Sequence, residues 1–126
     1  MVEIKQKIRS FTDLKAWQEG HTLVLEVYRE IKHFPKDEMF GLSSQMKRAS
    51  VSITSNIAEG FSRLHSKEKI HFYPISLGSL TELQNQLLVA RDLGFVEKSV
   101  YSALATRTVN VHKMVIGLIK FVRAHS

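Results

Sequence analysis

Asp13-Leu14-Lys15-Ala16-Trp17-Gln18-Glu19-Gly20-His21-Thr22-Leu23-Val24-Leu25-Glu26-Val27-Tyr28-Arg29-Glu30-Ile31-Lys32-His33-Phe34-Pro35 is the stretch on which the reading of the fold turns. Leu14, Trp17, His21, Val24, Tyr28 and Ile31 step by three or four residues, the spacing of one helical face, and Phe34-Pro35 ends the run. Outward from it the same step recurs three times. Leu42, Met46, Ala49, Ile53 and Asn56 carry a second helix, with Gly60 expected as its left-handed cap. Ser66 is expected to cap a third, with Glu68 in its positive first turn and a seam of Leu77, Leu80, Leu83, Leu87 and Ala90 running to Gly94. Tyr101, Leu104, Thr108, Val111, Val115, Leu118 and Val122 give a fourth.

No segment shows the alternation of a strand, so the fold class is all-α. Helices of about 20 to 28 residues would be about 30 to 40 Å long, and short links between them reach only an adjacent end. Each helix is therefore expected to run antiparallel to the one before, as an up-down-up-down four-helix bundle. Residues 1–12 read as a lead-in and 13–126 as a single domain.

The 126 residues are 44% hydrophobic and contain no cysteine, which excludes a disulfide scaffold, a thiolate zinc site and a thiol nucleophile. No apolar run is long enough for a bilayer span, and the mixed-charge start, Met1 to Lys7, lacks the apolar core of a signal peptide. A cytoplasmic protein that does not bind membrane is expected. The net charge of +6 favours polyanions as partners, although solubility alone accounts for it equally well.

Two Glu-x-x-His steps, Glu30 to His33 and Glu68 to His71, have the form from which bundles build di-iron sites. In the expected topology they sit at opposite poles, about 30 Å apart, whereas paired metal ions lie about 4 Å apart. No metal, cofactor or catalytic residue is expected. No Gly-x-Ser-x-Gly elbow, Ser-x-x-Lys pair or phosphate-cradling glycine loop occurs either.

Three features remain. The stretch from Arg48 to Gly60 is poor in helix formers, so packing must hold it, and its small side chains permit close approach of a neighbouring helix. Arg48, Ser52, Ser55 and Glu59 form a polar line there, while Asn56 falls on the seam as a candidate register-fixing residue. Helix four carries Lys98, Arg107, Lys113, Lys120 and Arg123 and, after Glu97, no acid. Lys98, Lys113, Lys120 and Arg123 lie within an arc of about 80°, a stripe suited to phosphate contact or to plain solvation. On helix one, Ala16, Leu23, Val27 and Phe34 form a second apolar stripe, expected to pack on another subunit.

Asp13-Leu14 with Trp17-Gln18, Val27-Tyr28, Phe34-Pro35 with Glu38, Gly41-Leu42, Lys47-Arg48-Ala49, Ser52-Ile53, Asn56-Ile57-Ala58-Glu59-Gly60, Gly78-Ser79 and Glu82-Leu83 resemble the bacterial four-helix bundle proteins associated with 23S ribosomal RNA intervening sequences. The similarity spans about residues 11 to 95, with Asn56 to Gly60 its most specific part. It implies an antiparallel bundle assembled as a ring, commonly a homopentamer, without catalytic activity. The family is also similar to the accessory protein of diversity-generating retroelements, which implies RNA or DNA contact. Leu77 stands where the family often has Arg, and Pro74 lies in the first turns of helix three. The expected function is nucleic-acid association through Lys98, Lys113, Lys120 and Arg123, with Arg48 secondary. The alternative is a scaffold that binds another protein and no nucleic acid.

Overall fold

The computed structural model describes residues 7–126, so residues 1–6 of the expected lead-in lie outside the described residues. A 3-10 turn, Phe11–Asp13, precedes α1 (Lys15–Ile31); a second, Lys36–Glu38, precedes α2 (Leu42–Ser62); α3 (Ser66–Asp92) and α4 (Lys98–Ala124) follow. Each long helix packs on its neighbours in sequence, and α4 closes on α1, making a four-helix bundle.

The chain ends of these helices follow from local hydrogen bonding. Ser10 Oγ accepts from Thr12 N–H, and Asp13 accepts from the N–H of Ser10, so the first turn is closed by a capping box. Gln18 Nε2 then donates to Thr12 O, tying that turn to α1. Glu38 Oε2 accepts from Leu42 N–H and caps α2 from the second turn. The α3–α4 link is a Schellman motif: Phe95 N–H reaches Ala90 O at 2.8 Å, Gly94 N–H reaches Arg91 O, and Gly94 has φ 78°.

Two expected caps are displaced. Gly60 lies within α2, which runs on to Ser62 and exits through extended Arg63. Its lack of a side chain serves packing: a Cβ there would meet Tyr73 Cε1 at 2.5 Å. Ser66 is already helical, and His65 takes the N-cap position without a side-chain bond.

Burial favours the second stripe of α1 over the expected seam, of which Ile31 alone is buried. Ala16, Leu23, Val27 and Phe34, expected to face another subunit, are core residues, with Leu23 and Val27 fully buried. His21 and Tyr28 of the expected seam are exposed, while Trp17 and Val24 are half-buried. Trp17, His21 and Tyr28 gave the apolar count of that seam its weight, yet each carries polar atoms that water satisfies. The purely aliphatic stripe gains more from burial. The seams of the other helices hold, with Leu80, Leu83, Leu87, Leu104, Val111 and Val115 inside. Asn56, Leu77, Tyr101 and Leu118 are only partly covered, and Ile119 takes the buried position beside Leu118.

Contacts between consecutive helices run in opposite numerical order. Gly20 lies against Thr54 and Tyr28 under Lys47; Gly60 lies against Tyr73 and Ser52 bonds Ser79; Gln84 bonds Thr108 and Arg91 covers Tyr101.

Candidate nucleic-acid interface

Lys98, Lys113, Lys120 and Arg123 are all exposed on α4, and none forms an ion pair among the described residues. Arg107, the fifth base of that helix, points elsewhere. It bridges Glu19 and Glu26 of α1 and is spent on joining α1 to α4.

The structure divides the expected contact set. Lys113, Lys120 and Arg123 lie in the half of the molecule that holds the start of α1, the end of α2, the start of α3 and the end of α4. That half also carries Lys7, Arg9, Lys15, Arg63, Lys67 and Lys69, against only Asp13, Glu19, Glu59 and Glu68. Lys98 and Arg48 belong to the other half, where Glu26, Glu30, Asp37, Glu38, Glu82, Asp92 and Glu97 nearly balance the bases. The charge is thus concentrated at one end instead of running along a whole helix. The contribution of Lys67 and Lys69 follows from the short α2–α3 link, which returns the Ser66-Lys67-Glu68-Lys69 run beside the end of α4. That run was visible in the sequence, but its placement depends on which helix ends share a pole.

Some of these bases have local work. Arg63 pairs with Glu59 at 2.9 Å and lies over the Phe72 ring. Lys69 Nζ donates to Gly60 O and Phe61 O, capping the last carbonyls of α2. Burial pushes its ammonium below the usual lysine range. Lys67, Lys113, Lys120 and Arg123 stand exposed in water.

Arg48 faces a different environment, a polar groove of about 600 Å³ between α2 and α3 lined also by Gln45, Ser52, Ser79, Glu82 and Gln86. Ser79 donates to Ser52 Oγ at 2.8 Å and Ser76 to Ile53 O at 2.9 Å, drawing the two helices together beside it. Asn56 is half-buried, and its amide turns back to Ser52 O and Oγ on its own helix. The cross-helix link is therefore made by Ser52. Ile57 is in the core, Ala58 is half-buried and Glu59 is exposed. The motif Asn56 to Gly60 thus serves a close helix contact through Ile57 and Gly60. Glu30 with His33, and Glu68 with His71, belong to opposite halves, and no group of three or more potential ligands gathers among the described residues.

A family model described as 23S rRNA-intervening sequence protein matches residues 12–117. The chain belongs to that family. A crystal structure of a protein of unknown function from the S23 ribosomal protein family of Bacteroides thetaiotaomicron shares the fold. Its TM-score is 0.77 at 19% identity, covering 83% of this chain and 95% of that one. No curated protein matches the chain. For this member of the 23S rRNA-intervening sequence family, the matched span includes Lys98 and Lys113 and stops short of Lys120 and Arg123.

Proposed function

We propose that this protein is a non-catalytic, cytoplasmic, oligomeric bundle that associates with RNA or DNA through its basic end. The observation that carries the reading is the net positive charge of one half, where nine lysines and arginines face four acids among the described residues, while the other half is nearly neutral. Such a pole attracts phosphates without reading base sequence, so binding is electrostatic and sensitive to salt. Lys113, Lys120 and Arg123 are the principal contacts, Lys67 adds to them, and Lys98 and Arg48 contribute less because acids surround them. The family's description, which ties it to 23S rRNA intervening sequences, agrees with an RNA partner. The reversed numerical order of the contacts between consecutive helices supports the up-down-up-down antiparallel arrangement.

A ring-like homo-oligomer, a pentamer in the family pattern, is part of the reading, but its contact surface differs from the one expected on α1. Leu25, Tyr28, Met39, Phe40 and Val51 leave large apolar side chains exposed around α1 and the start of α2, with Phe40 92% exposed. That surface supports assembly and also favours the second reading, a scaffold that binds another protein.

Fluorescence anisotropy with labelled RNA and DNA of mixed sequence, across a salt series, tests the first reading. Wild type should bind at low salt, with log affinity falling by roughly 0.7 to 0.9 per phosphate contact for each tenfold rise in salt. Lys113→Glu combined with Lys120→Glu should weaken binding at least about tenfold while leaving the helical spectrum unchanged. No binding at low salt rejects nucleic-acid association and leaves the scaffold, whereas equal binding by the double variant rejects Lys113 and Lys120 as the contacts.

A further inference from the structure

The basic end also contains a cavity of about 360 Å³ with a mainly apolar lining, and neither the charged surface nor the core packing accounts for it. Leu14, Phe61, Leu118, Phe121 and Val122 supply its apolar walls. Lys69 and Tyr73 supply the polar groups. Its size and lining, apolar with a few polar groups, are those of a small-molecule site.

Both polar groups have hydrogen-bonding capacity to spare. Lys69 Nζ gives two of its three protons to Gly60 O and Phe61 O, at 3.2 and 2.8 Å. Tyr73 is 2% exposed, and its hydroxyl has no partner among the described contacts. Tyr73 reaches this position because its ring lies close against Gly60, where a methyl group would collide with it. The last residue of the Asn56 to Gly60 motif therefore shapes one wall of the cavity. An ammonium with a remaining proton and a phenol in the lining of the same cavity call for an anionic acceptor. Walls of Leu, Val and Phe call for a hydrocarbon tail.

We propose that this cavity binds a free medium-chain aliphatic carboxylate, its head group on Lys69 and Tyr73 and its tail against Leu118 and Val122. Charge complementarity selects that occupant: the only formal charge in the lining is the Lys69 ammonium, and the surrounding end of the molecule is basic. The inference is independent of nucleic-acid binding, which uses the exposed bases.

Isothermal calorimetry with decanoate, kept below its micellar range, tests the proposal on the full chain. Decanoate should bind once per chain and raise Tm. Decanol, with the same tail and a neutral head, should bind at least about tenfold more weakly. Leu118→Trp, placing an indole in the cavity from a half-buried position, should abolish binding while the far-ultraviolet spectrum stays helical. Lys69→Met should make decanoate and decanol equivalent. Because Lys69 also caps α2, the wild-type contrast is backed by nuclear Overhauser contacts from the decanoate chain to the Val122 methyls, which need no variant. Absence of saturable heat with decanoate, equal wild-type affinity for decanol, or contacts mapping away from Val122 would overturn the assignment.

Discussion

The α2–α3 and α1–α4 contacts close the same bundle by different physics. Between α2 and α3 the side chains are small: Gly60 under Tyr73, Ser52 bonded to Ser79, Ser76 bonded to the Ile53 carbonyl. Close approach lets short hydroxyls reach across, and the poor helix formers of α2 are tolerated because the interface holds them. Between α1 and α4, elements at the two ends of the chain, Arg107 spans from one helix to Glu19 and Glu26 of the other. One contact depends on the absence of atoms and the other on a long charged side chain. The first should be intolerant of added volume and indifferent to salt, and the second the reverse.

The largest effect that would break this contrast is Gly60→Ala. Helix propensity alone favours alanine by about 1 kcal/mol. The rigid Tyr73 ring at 2.5 Å from the new Cβ outweighs that gain, and a net loss of about 2 kcal/mol is expected in urea unfolding. An unchanged midpoint would mean that the ring moves freely and that the α2–α3 interface is not close-packed. Next in size, Arg107→Ala should cost about 1 kcal/mol, because it leaves two half-buried glutamates facing each other without a cation. That loss should shrink in 1 M salt, whereas the Gly60→Ala loss should not.

Gly78→Ala sharpens the comparison from the other side of α3. Nothing lies within 4 Å of the position its Cβ would take, so a gain of somewhat under 1 kcal/mol is expected as a rise in Tm. A loss instead would locate a subunit contact on that face. The smallest effect concerns the entry to α1. The backbone N–H groups of Arg9 and Ser10 donate to the Asp13 carboxylate and hold it below its ordinary pKa of 3.8. Its contribution is present above 3.8 and is lost as pH falls through the lowered value. Acid titration of wild type should therefore show a small loss of protection at the Ser10 amide that Asp13→Asn lacks throughout.

Particular residues show where sequence reading stops. Leu80, Leu83 and Leu87, or Leu104, Val111 and Val115, are aliphatic at helical spacing and have no competitor on their helices, so periodicity alone finds the core. On α1 two stripes of similar apolar content compete, and periodicity cannot rank them. Gly60 reads equally as a cap or as a site of close approach, because both need the same missing Cβ. The turn at Gly94 was legible since it follows a complete helical seam. The basic end was only half legible: Lys113, Lys120 and Arg123 share a helix, while Lys67 and Lys69 join them through the chain reversal.

By itself the sequence determined the helix count, the breaks near Pro35 and Gly94, and most buried seams, because hydrogen bonding within a helix and side-chain periodicity are local properties. Only the tertiary structure decided which face of α1 is covered, that Arg107 is a cross-link, and that Phe61, Lys69, Tyr73 and Leu118 line one cavity. Those depend on which residues distant in the chain are brought into contact, and contact free energy is shared between partners that no single segment contains.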